Sequence, residues 1–238
     1  ITAVVDLRSQ SIQGIDHAER YGTLSAAIDE YDDTGDRLIT LLVSSRMPVT
    51  ANLTVPNNVT LAIMRGGSLD RASGVVLTLN GPVDAGRYRI FYGTGTTSFG
   101  PGTAERVYPE WFGAVVNDTT NDQPFLQEAI DAMPTRGMLS LADGRYLIGS
   151  VVTILNKNIS VSGAGGWAVN AEPDAADSGT ELEWSGTGSG VMLEVSGTRG
   201  VTVENLHLDG ANLATTGLLV DANNTPSSFG NFFKNIEI

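Results

Sequence analysis

The sequence contains no cysteine, so disulfides, zinc–thiolate centres and cysteine nucleophiles drop out. It is also short of positive charge: 14 Lys and Arg stand against 27 Asp and Glu, a formal net charge of −13 at pH 7. That balance argues against nucleic acid or an anionic membrane as a partner, since both attract Lys and Arg. Its ordinary consequence is solubility. Aromatic residues make up only 7%, too few for a broad platform on which sugars stack. No apolar run approaches the roughly 18 residues of a membrane-spanning helix. The chain opens on Ile1 without a signal-peptide pattern, which reads as a processed chain or an excerpt of a longer one.

What is present is glycine and short apolar runs. The 238 residues are 41% hydrophobic and include 28 glycines, the composition of a soluble, turn-rich β protein with length for one large or two modest domains. Two stretches depart from the β pattern. "YGTLSAAIDEY" carries Leu24, Ala27, Ile28 and Tyr31 at helical spacing, and "DQPFLQEAIDAMP" carries Phe125, Leu126, Ala129, Ile130 and Met133. Asp122 is a natural N-cap, with Pro124 tolerated in the first turn; Asp118 reinforces that end or ties down the preceding loop, and Pro134 and Gly137 stop the helix. Each helix is followed by a turn and several short strands, a weak duplication that aligns Ile28 with Ile130. The glycine-rich "GTGTTSFGPGTAERVYPEW" between them places a boundary near residues 100 to 110, giving a β-rich module over 1–107 and a helix-headed module over 108–238.

The second module has a coil-like repeat. "KNISVSG", "ENLHLDG" and "KNIEI" share the order Asn, aliphatic, any, aliphatic, at Asn158, Asn205 and Asn235. Strand-and-turn repeats of 20 to 50 residues indicate a solenoid. The pattern predicts a ladder of the three asparagines at a bend, where asparagine tolerates the left-handed conformation. It also stacks Ile159, Leu206 and Ile236 in the interior, and Val161, Leu208 and Ile238 beside them.

The run "EWFGAVVNDTTNDQPFLQEAIDAM", then "GRYLIGS" and "VTVENLHLDG", resembles the pectate-lyase-like single-stranded right-handed β-helix superfamily. It is similar in particular to the N-terminal part of bacteriophage tailspikes and tail-fibre depolymerases. Phe112, Gly113 and Ala114 match the family's opening motif, Asp118 and Asp122 hold its acidic places, and Thr119 stands where a glycine is usual. The resemblance covers about residues 108 to 238, and residues 21 to 107 are similar to a smaller module often found ahead of that segment. It implies an all-β right-handed parallel β-helix with short N-terminal capping helices, in a homotrimeric, extracellular or virion-borne protein. That protein would be directed at bacterial surface polysaccharide and in contact with other virion tail proteins. The motif specifies fold and leaves activity open.

Chemistry is sought on the outward positions. Ser160, His207 and Glu237 fall in one outward column and Ser162 and Asp209 in another, with Asp209 roughly 6 to 7 Å along the strand from His207, so a histidine flanked by two carboxylates could do acid–base work on a sugar. Glu181 and Glu183 in "TELEW" share a strand face at similar spacing, loosely that of a glycosidase pair, and form a candidate substrate-binding group. Outward polar columns on a solenoid are most often solvated surface. No phosphate-cradling loop and no Asp-rich loop with calcium-ligand spacing occurs, so no cofactor or metal is implied. "KNIEI" stops in mid-repeat without a polar cap, which reads as a truncation, with catalytic residues of a depolymerase expected beyond Ile238. The alternatives are a secreted bacterial polysaccharide lyase or hydrolase, and a structural fibre or filament protein.

Overall fold

The computed structural model describes residues 14–32, 38–116, 119–165, 179–221 and 228–238; Asp118 lies outside them. The fold is mostly β, and among the described residues every strand pairing is parallel.

The first ten strands are β1 (Gly14–His17), β2 (Ile39–Val43), β3 (Arg46–Val49), β4 (Leu53–Val55), β5 (Val59–Ile63), β6 (Ser68–Arg71), β7 (Val76–Leu79), β8 (Val83–Ala85), β9 (Phe91–Gly93) and β10 (Thr96–Phe99). They form three sheets, β1-β2-β5-β8, β3-β6-β9 and β4-β7-β10. From β2 onward every third strand returns to the same sheet, so that Ile39 faces Val59, Leu61 faces Val83, and Leu69 faces Phe91. Alternation puts Ile39, Leu41 and Val43 inward, beneath Val59, Leu61 and Ile63. Burying each such side chain contributes about 1.5–3 kcal/mol. Pro48 is tolerated because β3 is an edge strand of its sheet.

Helix α1 (Leu24–Asp32) precedes β2 and covers this stack with the expected stripe: Leu24, Ala27, Ile28 and Tyr31 are all buried. Helix α2 (Gln123–Ala132) buries Leu126, Ala129, Ile130 and Met133, with Phe125 half-buried. It packs against β10 on one side and against the strands that follow on the other. The core is continuous across residues 100–110: Phe91 and Phe112 rings lie 5.1 Å apart, Phe99 and Trp111 6.1 Å apart, and Ile90 N–H donates to Trp111 C=O at 3.0 Å.

The later strands are β11 (Met138–Ser140), β12 (Gly144–Ile148), β13 (Val152–Leu155), β14 (Ser160–Ser162), β15 (Thr180–Trp184), β16 (Val191–Ser196), β17 (Thr202–Asp209), β18 (Thr216–Asp221) and β19 (Phe232–Glu237). β13, β16 and β18 form one sheet; the other runs β11-β14-β17-β15-β12, with β19 on β17. The long β17 explains that order. Its first half pairs with β14 and its second half with β15, so two short strands of earlier passes merge into one bent strand.

Asn205 marks the bend, with φ of 59°, and Asn235 repeats it at 49°. The Asn235 Nδ2 donates to Asn205 Oδ1 at 2.8 Å, two rungs of the expected ladder. Asn158 is not the third. Ser160 faces Thr202, which sets Asn158 against Gly200, and Gly163 occupies the place beneath Asn205. A Cβ on Gly163 would lie 2.0 Å from the Asn205 carbonyl oxygen, so only glycine fits. The interior stack shifts accordingly: Val161 lies under Val203 and Phe233, Leu206 under Ile236, and Leu208 over Leu182. Ile238 is 74% exposed.

One cap differs from expectation. Asp122 holds the N-cap place of α2 but makes no side-chain bond to that helix; its Oδ1 accepts the Val115 N–H at 2.8 Å instead. Burial pushes its carboxyl up to about 6 against the lowering effect of backbone donors. Helix α2 stops at Ala132, and the left-handed residue after it is Arg136, with φ of 72°, not Gly137.

Candidate functional site

Three strands of one sheet bring the candidate residues together. On β12, β15 and β17, Tyr146, Leu182 and Leu208 stack into the core. Alternation then turns their neighbours to the opposite face. One column on that face runs Arg145, Glu181, His207 and Glu237, each facing the next across adjacent strands. A second runs Leu147, Glu183 and Asp209.

The contacts cross layers. Arg145 Nε lies 2.6 Å from Glu181 Oε2 and 3.1 Å from Glu183 Oε2. His207 Nδ1 lies 3.3 Å from Glu181 Oε1. The Glu181 side chain is only 2% exposed, against 17% for His207 and 26% for Glu183. Burying a carboxylate is costly unless charge and hydrogen bonds compensate, and the Arg145 Nε–H donated to Glu181 Oε2 supplies that compensation; His207 Nδ1 lies near the other oxygen without forming a hydrogen bond to it. Asp209 closes the strand by accepting the Ala211 N–H at 2.8 Å, a local turn that fixes its carboxylate.

The expected neighbours His207, Asp209 and Glu237 therefore share one face, and Glu181 and Glu183 belong to the same site. Two things were missed from sequence. Arg145 was not singled out, and Glu181 was not placed under His207. The signal was available in "GRYLI" and "TELEW", which are successive strands in register, but the passes between facing residues differ in length. Among the described residues, no group of three or more His, Asp or Glu is placed to hold a metal ion, and no helix is long and apolar enough to cross a membrane.

A separate cleft of about 510 Å³ lies between α2 and β10, lined by Thr96, Thr97, Gln127, Glu128 and Asp131. It is a seam between packed elements. Its Gln127 side chain is bonded to the Thr153 backbone, and Glu128 pairs at 2.7 Å with the buried Arg71. No family model matches the chain, and neither a curated protein nor a solved structure matches it.

Proposed function

We propose that this chain is a segment of a right-handed parallel β-helix of the kind borne by bacteriophage tailspikes and tail-fibre depolymerases, and that it presents a face directed at bacterial surface polysaccharide. The observation that carries this reading is the charged column Arg145, Glu181, His207 and Glu237, built from facing residues of successive parallel strands. Parallel strands that return to the same sheet, with an amphipathic helix over the stack, are what such a coil requires. Polar groups fixed on a rigid sheet face suit a hydroxyl-rich polymer better than a small apolar ligand. In this reading the protein is a homotrimer, extracellular or on the virion, in contact with other tail proteins.

The test is sedimentation of the purified chain together with its retention on immobilised bacterial surface polysaccharides. A three-chain assembly retained by at least one polysaccharide is the expected result; a monomer that none retains overturns the proposal. A fibre-forming role is the second reading, favoured by the exposed Leu219, Val220, Phe232 and Phe233 along β18 and β19. Concentration-dependent open stacks in place of a closed trimer would select it.

A further inference from the structure

The outer face of the β3-β6-β9 sheet gathers arginines in a chain poor in positive charge. Arg46 Cζ lies 4.5 Å from the centre of the Tyr92 ring, and Arg89 Cζ lies 4.3 Å from it. The two guanidinium carbons are therefore within about 9 Å of each other. They are not equivalent. Asp70, which faces Tyr92 across adjacent strands, accepts from Arg46 Nε and a terminal nitrogen at 3.1 and 2.8 Å and neutralises that arginine. Among the described residues no carboxylate pairs with Arg89, whose guanidinium makes one hydrogen bond, from Nε to the Phe91 carbonyl at 3.0 Å.

Arg89 is nevertheless held in place. Besides Tyr92, the Phe125 ring of α2 lies 5.6 Å from its Cζ. Gly113, at φ of 127°, leaves room for it: a Cβ there would stand 3.0 Å from Arg89 Cζ and 3.1 Å from the Phe125 ring. The side chain is exposed, so the four N–H bonds of its two terminal nitrogens are open to a ligand. A planar fork fixed in advance by two rings and a carbonyl loses little freedom when it binds.

We propose that Arg89, with Arg46 beside it, binds the carboxylate of an acidic saccharide, a uronate unit of the surface polysaccharide. The inference rests on the polysaccharide reading above and names its substrate class. A carboxylate meets a guanidinium through two parallel N–H···O bonds. Its single charge also matches the one uncompensated cation, whereas a doubly charged phosphate group would add an excess negative charge to a chain already at −13. Repulsion from distant acids does not cancel the contact, because salt at about 0.15 M screens exposed charges beyond about 8 Å.

The experiment is calorimetric titration at that salt with a matched pair of probes, oligogalacturonate and the same oligomer with its carboxylates reduced to alcohols. The native chain is expected to bind the acid form about tenfold or more tightly than the reduced form. Arg89→Gln, which loses charge and fork, and Arg89→Lys, which keeps the charge and loses the fork, should each weaken the acid form about tenfold. Arg65→Gln, which removes an exposed arginine beside Tyr88, should change nothing. Urea unfolding of each variant shows whether the fold persists, and the comparison of the two oligomers on the native chain needs no variant. Equal binding of both oligomers, no binding of the acid form, native affinity in both Arg89 variants, or an equal loss in Arg65→Gln overturns the site. A chain retained on surface polysaccharide without preference for the acid oligomer keeps the spike reading and loses this one; a chain that binds neither loses both.

Discussion

Helices α1 and α2 present the same kind of apolar stripe to the strands beside them, yet the buried aspartates that anchor them are treated in opposite ways. Beside α1, Asp16 accepts from Tyr21 and Tyr31 hydroxyls on one oxygen, at 2.7 and 2.8 Å, and from Arg20 and the His17 N–H on the other. Burial alone would raise its carboxyl, but these donors outweigh it and hold the group below the usual carboxylate range. At α2, Asp122 is 1% exposed, and among the described residues its Oδ2 meets no hydrogen-bond donor. There burial wins. Donors at hand, more than depth, decide whether a buried carboxylate strengthens or weakens the fold.

The largest effect is expected where α2 is tied to the first module. Arg71 is 1% exposed, donates to Thr97 and Glu128 at 2.7 Å and to the Tyr92 carbonyl at 3.2 Å. Arg71→Ala strands those acceptors and should cost about 3–5 kcal/mol in urea unfolding. Helix α1 is anchored separately, by Tyr31 on Asp16, so the same denaturation followed by hydrogen exchange should show α2 loosening while α1 keeps its protection.

The two aspartates then give opposite signs. The folded-state value of Asp122, about 6 against an ordinary 3.8, means that the folded chain binds more protons than the unfolded chain between those values. Stability should fall as pH rises through that window, by about 3 kcal/mol for a shift of this size. Asp122→Asn should remove that slope and raise stability at pH 7, because Asn Oδ1 can still accept the Val115 N–H. For Asp16 the folded value is depressed, so its contribution is present above the ordinary carboxylate range and is lost as pH falls below it. Asp16→Asn should cost about 2 kcal/mol at neutral pH. Unfolding curves of both variants across pH would test the pair; the same sign in both would refute the contrast.

The smallest effect concerns the far end of α2. Lys157 Nζ donates to the carbonyls of Ile130, Asp131 and Met133, at 2.9, 2.5 and 3.0 Å, and burial lowers its pKa against the pull of Asp131. Lys157→Met removes these bonds but keeps the apolar stem, and a loss of about 1 kcal/mol is expected.

These contrasts mark what sequence could reveal. Both helical stripes were legible because helical periodicity is local: every residue predicted for them is buried except Phe125, which is half-buried. Asn205 and Asn235 were legible because the same corner recurs with the same flanking pattern. Asn158 misled because "KNISVSG" has that pattern at a different corner, and pairing between distant strands sets the register. The fate of Asp122 was hidden because a capping residue near Val115 has two sets of N–H groups to choose from. Arg71 follows the alternation of "SLDR" inward beside Leu69, against the rule that arginine stays near solvent. Ser160 and Ser162 were expected in the columns of His207 and Asp209 and face Thr202 and Glu204 instead; the facing of His207 and Glu237 and the face they share with Asp209 were legible from strand period. Arg145 and the Glu181–His207 contact were not, because they join passes of unequal length.

The central claim is the register that stacks these layers, and it can be tested in a background that has no native cysteine. Facing residues of adjacent parallel strands lie within disulfide reach, with Cα atoms under about 7 Å apart. The measurement is oxidation of two cysteine pairs under identical conditions. The account predicts that Asn205→Cys with Asn235→Cys closes a disulfide, while Asn158→Cys with Asn205→Cys does not. Closure of the second pair and failure of the first would contradict the register and dismantle the site built on it.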